Sequence, residues 1–197
     1  MCYNAEISFD TFLYGTLSLI IVLALNKVPL HTIAIAYTIS LIQLMEYFAW
    51  KNIDNSINLY YISHFGFIII FIQIFIINYY NLKGQEKQII TIILLLLLPL
   101  VYYNISINNK FKIEKGENGH LIWWWLDILY PFNILILLFY IYPYVRNKSY
   151  FDLFISYISL YISLYYFYKY KTWGSMWCYI GNFLWIILII KSIYLYI

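Results

Sequence analysis

The segment SLIQLMEYFAW, residues 40–50, is apolar except for three polar side chains, one of which is a carboxylate. As an α-helix, this segment presents Gln43, Glu46 and Trp50 on one side of the cylinder. An ionised carboxylate in the hydrocarbon region of a membrane costs about 2.5–3.5 kcal/mol on insertion scales. Glu46 is therefore predicted to face the interior of the protein or a wet cavity, and this side of the helix is the predicted location of the chemistry.

The composition of the whole chain indicates an integral membrane protein. The 197 residues are 64% hydrophobic and 11% charged, whereas soluble domains have about 25% charged residues. The net charge of +3 comes from scattered lysines and arginines, which excludes the clustered basic face of a nucleic-acid-binding protein. The predicted partner is the lipid bilayer, with no nucleic acid.

Seven apolar segments are long enough to cross a membrane, which takes about 20 residues. They cover residues 10–27, 30–50, 58–80, 88–104, 127–146, 150–169 and 173–196. Glu6 and Asp10 stand where a signal peptide would be basic, so the first segment is predicted to be retained. The predicted fold is all-α: a polytopic membrane protein with seven transmembrane helices in one bundle, a single domain over residues 1–197.

An odd number of crossings places the two termini on opposite sides of the membrane. The N-terminal side, called the first side here, then receives residues 51–57, 105–126 and 170–172. Glu46 and Cys178 are predicted at similar depths below that surface, about 6–9 Å from the helical rise, and His64 with them. Lysines and arginines are evenly divided between the sides, and the surplus of acidic residues on the first side favours an exoplasmic or lumenal N-terminus only weakly.

The predicted ligand-binding residues all belong to this first side. They are Glu46, Gln43, Trp50, His64, Trp177 and His120. Glu46 would be the counter-charge for a small polar or cationic ligand, bound or transported, and Trp50 and Trp177 would be aromatic walls, because a cation gains about 0.5–2 kcal/mol over an indole face. His120 and one indole of Trp123–Trp125 would close the pocket as a lid; otherwise this run is an interfacial belt.

A membrane-embedded metal site is the first alternative, and whether the chain is an enzyme stays open. Thiolate, imidazole and carboxylate ligands suit zinc or copper. The candidate ligands are Cys2, Glu46, His64 and Cys178, each from a separate element. Cys2 and Cys178 are predicted to lie close together, and a disulfide between them would require Cα atoms within about 7 Å. The second alternative is a structural or interaction protein of a membrane, which needs neither ligand nor metal.

Two further patterns concern helix faces. Ser156, Ser159 and Ser163 form one stripe of the sixth span, which is typical of close helix packing. Gln73 lies in the middle of the third span, about half a turn around the helix from His64. The two side chains are therefore not predicted to share a site.

Four motifs are distributed over nearly the whole chain: MCYNAEIS at residues 1–8, QLMEYFAWK at 43–51, HLIW at 120–123 and GSMWC at 174–178. Together they resemble a family of small multi-pass membrane proteins encoded by giant DNA viruses, with similar N-termini in some bacterial proteins. The resemblance implies a viral membrane protein but carries no activity with it. It also implies that one shared feature contains Cys2, Glu6, Gln43, Glu46, Trp50, His120, Trp177 and Cys178.

Overall fold

The computed structural model describes residues 4–126 and 131–195, without the side chains of residues 131–133, 151–152 and 155–156. The structure is about 81% helical. In chain order, its elements are α1 (Ala5–Leu25), α2 (Leu30–Lys51), α3 (Ser56–Asn81), α4 (Gly84–Ile107), β1 (Ile113–Lys115), β2 (Leu121–Trp123), α5 (Pro131–Arg146), α6 (Tyr150–Phe167), α7 (Trp173–Gly181) and α8 (Phe183–Tyr194).

Five helical segments of the described chain are long and apolar enough to cross a membrane. They are α1, α2, α3, α4 and the consecutive pair α7–α8, Trp173–Tyr194. These segments coincide with five of the seven predicted spans, and they are compatible with an integral membrane protein. The other two predicted spans correspond to α5, with 16 residues, and α6, with 18 residues; residues 127–130 of the fifth span lie outside the described residues.

The helix ends follow from local polar chemistry. The side chain of Asn4 accepts a hydrogen bond from the Ile7 backbone N at 2.9 Å, which satisfies one of the free donors at the start of α1. Asn55 caps α3 in the same way. α1 ends at Asn26 in the left-handed conformation, with φ 50°, which asparagine tolerates better than most residues.

α2 is the central helix of the bundle, because it packs against α1, α3 and α7. The two helices approach closely at Gly15, where a Cβ atom would lie 2.5 Å from the Ser40 Oγ. α8 also packs against α1, and α3 also contacts α4 and α5. Small residues at such crossings allow the helix backbones to approach closely, as in other membrane bundles.

The turn between α5 and α6 lies beside the turn between α3 and α4. The Asn147 Nδ2 donates a hydrogen bond to the Asn81 carbonyl oxygen at 2.7 Å, and the Arg146 Nε lies 3.1 Å from the Glu86 Oε1. The Tyr142 hydroxyl also donates to Glu86. The α5–α6 hairpin therefore extends to the same end of the bundle as α3.

The segment 105–126 corrects the all-α prediction, since it contains a two-stranded antiparallel sheet. β1 and β2 pair with Ile113 opposite Trp123, and the Gly116 backbone N donates to the His120 carbonyl oxygen at 2.7 Å across the turn. β1 packs against α3 and β2 against α7. We call the end of the bundle covered by this sheet the hairpin end.

The seventh predicted span is two helices instead of one. α7 ends at Gly181, and α8 begins at Phe183. Between them, the Asn182 Nδ2 donates to the Cys178 carbonyl oxygen at 3.0 Å, so a side chain supplies a partner where the helix is interrupted. The break leaves α7 as a short helix between α2 and α6.

Candidate functional site

Glu46 faces the interior of the protein, as its charge predicts. Its side chain is fully buried on α2, and the Ser175 Oγ donates a hydrogen bond to the Glu46 Oε1 at 2.5 Å. Ser175 is the third residue of α7, so the carboxylate lies beside the first turn of that helix. The N-terminal end of a helix carries a partial positive charge, which favours a neighbouring anion.

Ser40, Gln43 and Glu46 form a continuous polar strip along α2. All three side chains have 0% exposure. The helices that face this strip have small residues at the contacts, among them Gly15 on α1 and Ser175 on α7. The strip is thus buried between protein helices and away from lipid. An unsatisfied polar group exposed to lipid would cost several kcal/mol.

A cavity of about 330 Å³ lies between α2, α3 and the helices α5–α8. We call it the main cavity. Most of its lining is aliphatic or aromatic, and its polar groups come from Gln73, Ser159, Trp177 and Cys178. The Trp177 Nε1 donates to the Ser159 Oγ at 3.1 Å, which holds the indole in the cavity wall. Trp177 is therefore part of the aromatic lining of the main cavity.

Cys178 connects the main cavity with Glu46. It lines the cavity and lies within electrostatic range of the Glu46 carboxylate. Ser175 and Cys178 are three residues apart on α7, so the hydroxyl that binds Glu46 and the thiol at the cavity wall share one helix face. A smaller void of about 10 Å³ also borders Cys178 and reaches Trp123 and Trp125.

His64 lies in an aromatic cluster instead of beside Glu46. Its ring centroid is 3.8 Å from that of Phe111, 4.3 Å from that of Tyr60 and 5.3 Å from that of Tyr102. Its buried Nδ1 has no hydrogen-bond partner among the described residues. Gln73, in contrast, lines the main cavity, so the prediction that these two residues of α3 do not share a site holds.

Trp50 and His120 lie at the hairpin end, outside the lining of the main cavity. Trp50 packs against the hydrophobic core that includes the sheet, and the Lys115 Nζ is 5.9 Å from the centre of its ring. His120 is 1% exposed, and its ring centroid is 5.6 Å from that of Phe167. The predicted ligand set therefore divides. Glu46 and Gln43 lie in the buried polar strip of α2 and Trp177 lines the main cavity, whereas Trp50, His64 and His120 belong to neither.

The serine stripe of α6 packs against α7, as predicted. Ser159 accepts from the Trp177 indole, and the Ser163 Oγ donates to the Trp173 carbonyl oxygen; the side chain of Ser156 lies outside the described part of the chain. Ser175 was absent from the predicted site set, although it stands inside the GSMWC motif. The available signal was the hydroxyl group of Ser175, three positions before Cys178 and therefore on the same face of the helix.

The predicted metal ligands do not come together in the described ranges. Within residues 4–126 and 131–195, no three His, Cys, Asp or Glu side chains form a group that could hold a metal ion. Glu46 and Cys178 are neighbours, but His64 packs in its aromatic cluster. Cys2 lies outside the described residues, and with it the predicted proximity to Cys178 and the disulfide.

Comparisons with known proteins add no family to this geometry. The chain matches no protein-family model, no curated protein and no solved structure. The resemblance to viral membrane proteins stays a prediction that depends on the four sequence motifs. The function has to be argued from the site's own residues.

Proposed function

We propose that this chain crosses the membrane seven times as one bundle and binds a small cationic or polar ligand in the main cavity, beside Glu46. The observations that carry the proposal are the fully buried side chain of Glu46 and a cavity of about 330 Å³ with aromatic walls. Cys178 lines that cavity and lies within electrostatic range of Glu46. In a membrane-spanning segment, a buried ionisable residue marks a functional site by default, because it is expensive to keep there.

The contacts of the α5–α6 hairpin support seven crossings. Its turn binds the α3–α4 turn through Asn147 and Asn81 at one end of the bundle. At the other end, the chain after α6 returns to the sheet, where the Asn118 Nδ2 donates to the Thr172 Oγ1 at 2.8 Å. α6 has 18 residues, a length of about 27 Å, and a bilayer core is about 30 Å thick.

The shape and lining of the main cavity define the class of ligand. Its apolar lining suits a ligand with an apolar body, and the rings of Tyr140, Phe154 and Trp177 present faces that attract a positive charge. In this proposal the Glu46 carboxylate is the counter-charge, within electrostatic range of Cys178 in the cavity lining. A small amphiphile with a cationic head therefore fits the lining of the cavity better than a sugar or an anion does.

Equilibrium binding of two matched probes to the protein in lipid nanodiscs tests this proposal. Benzyltrimethylammonium carries a cationic head on an apolar ring, and neopentylbenzene is its neutral isostere. We expect the cation to bind about tenfold more tightly to the wild-type protein after subtraction of empty nanodiscs. This corresponds to about 1.4 kcal/mol, the attraction between two unit charges about 12 Å apart at an effective dielectric constant of about 20. Glu46→Gln keeps an acceptor for Ser175 and is expected to abolish the part of the preference that the carboxylate supplies.

Glu6→Gln is the matched control, because Glu6 is an exposed carboxylate on α1. It is expected to leave the preference for the cation unchanged. Equal binding of the two probes to the wild-type protein, or a full preference in the Glu46→Gln protein, contradicts the proposal.

A further inference from the structure

A second cavity lies at the hairpin end of the bundle and is independent of the main cavity. Its volume is about 230 Å³, and it lies between residues 122–126 after the sheet and residues 168–173 before α7. We call it the lysine cavity, because Lys169 and Lys171 line it. Among the described residues, it shares no lining side chain with the main cavity.

The charge of this cavity is positive. Lys169 and Lys171 are both exposed, and no carboxylate occurs among the described residues of its lining. The Lys171 Nζ lies 4.6 Å from the centre of the Trp124 ring, so the indole face holds the ammonium group at the cavity. Two lysine side chains that line one cavity without a carboxylate among its described lining residues form a recognition site for an anion.

The backbone at Lys171 has the left-handed conformation, with φ 57°, directly after the 3-10 turn Tyr168–Tyr170. Lys148 has the same conformation, with φ 55°, at the turn between α5 and α6, so this backbone geometry marks a chain turn. Glycine and asparagine adopt it at lower cost than lysine does, which makes asparagine a suitable replacement for Lys171.

Trp124 lines the same cavity, although its own Nε1–H is buried and has no acceptor among the described residues. The donors that a ligand in the cavity can reach are the ammonium groups of the exposed Lys169 and Lys171. Charge-assisted hydrogen bonds from lysine suit a phosphate group.

The position of the lysine cavity relative to the membrane indicates where such a phosphate comes from. The apolar segment α7–α8 begins at Trp173, which also lines the cavity. The cavity thus lies where the apolar part of the chain starts, at the level of lipid headgroups. Tryptophan and lysine are both enriched at this level.

We propose that the lysine cavity binds a phosphate group, held by Lys169 and Lys171, and that the phosphate belongs to the headgroup of an anionic phospholipid. A soluble phosphate presents the same chemistry to these residues. The experiment therefore has one arm for each source.

The lipid arm measures lipids retained by the full-length protein. The protein is purified from equimolar phosphatidylglycerol and phosphatidylcholine vesicles and examined by native mass spectrometry. We expect phosphatidylglycerol to be retained about tenfold over phosphatidylcholine by the wild-type protein, since each lysine near the surface adds attraction for anionic lipid. The double variant Lys169→Gln, Lys171→Asn is expected to lose this preference. Asparagine tolerates the left-handed backbone, so the thermal stability of the variant should equal or exceed that of the wild type.

The control removes two charges at the same end of the bundle without touching the cavity. Lys51 and Lys112 are exposed and lie outside its lining, so Lys51→Gln, Lys112→Gln should retain the preference for phosphatidylglycerol. A loss as large as in the cavity variant would overturn the proposal, because it would make the effect one of general surface charge.

The soluble arm is calorimetric titration of inorganic phosphate into the protein in phosphatidylcholine nanodiscs. Binding that requires Lys169 and Lys171, without a preference for phosphatidylglycerol, would keep the phosphate site and assign it to a soluble ligand. Absence of both lipid preference and phosphate binding would overturn the site itself.

Discussion

Glu46 and His64 are two ionisable side chains at the same predicted depth, yet their surroundings are opposite. Glu46 accepts a hydrogen bond from Ser175 at the start of α7 and lies near Cys178. His64 packs its ring against Tyr60 and Phe111, and its Nδ1 has no hydrogen-bond partner in the described part of the chain. Glu46 lies behind the wall of the main cavity, and His64 is part of a packed aromatic core.

The difference teaches that depth and charge alone do not identify a site in a membrane bundle. A buried ionisable group becomes useful when donors and a cavity stabilise its charge. The carboxylate on α2 accepts a hydrogen bond from the N-terminal turn of α7. The imidazole on α3 packs against rings from α4 and from the loop that follows it.

The largest effect is expected for Ser175→Ala, which removes the hydroxyl donor to Glu46. A hydrogen bond to a charged partner contributes about 1.5–3 kcal/mol, so the free energy of unfolding should fall by that amount. Equilibrium unfolding in mixed micelles measures it. Ser192→Ala is the control, since the Ser192 hydroxyl donates at 2.7 Å to the Leu188 carbonyl oxygen of its own helix. Its removal should change the free energy of unfolding little. Equal losses in the two variants would show that the Glu46 contact has no special strength.

Much of the helical architecture could be predicted from the sequence. The apolar segments and the breakers near Pro29 and Gly84 place the first four helices, and the cost of a carboxylate in lipid turns Glu46 inward. These inferences depend only on residues that are close together in the sequence. They succeed because membrane helices satisfy their backbone groups within the segment.

The partners of each helix face could not be predicted in this way. The hydrogen bond between Ser175 and Glu46 joins residues 129 positions apart, and no local pattern specifies that α7 packs on α2. The β-sheet was also missed, because each strand has three residues, too few for the alternation that identifies a strand. His64 and Glu46 were grouped by depth, but the ring of His64 packs against three aromatic side chains, whereas Glu46 is bound by Ser175.

The second prediction concerns Gly66, in the aromatic region. A Cβ atom at Gly66 would lie 2.6 Å from the Trp123 ring, whereas one at Gly181 would lie 3.4 Å from Ile39. Overpacking costs about 1–3 kcal/mol, and the better helix propensity of alanine recovers about 1 kcal/mol. Gly66→Ala should therefore lower the unfolding free energy by about 1 kcal/mol, and Gly181→Ala should not lower it. An unfolding free energy of Gly66→Ala equal to that of the wild type would mean that the core around Trp123 is less rigid than its packing indicates.

The smallest effect is expected for His64→Phe. Phenylalanine keeps a ring among Tyr60, Tyr102 and Phe111 and removes a buried nitrogen that has no partner among the described residues. A swap of similar shape in a packed core changes stability by less than about 1.5 kcal/mol, and the loss of an unsatisfied polar atom offsets part of any strain. The unfolding free energy should stay within about 1 kcal/mol of wild type.

The binding readout of the same variant decides the comparison. His64→Phe should bind benzyltrimethylammonium as the wild type does, while Glu46→Gln loses the preference for the cation. If both variants lose it, His64 acts on the ligand through a contact that its aromatic surroundings do not reveal, and the two ionisable groups belong to one site. If His64→Phe alone loses it, the ligand lies between α3 and α4 and the role assigned to the main cavity is wrong.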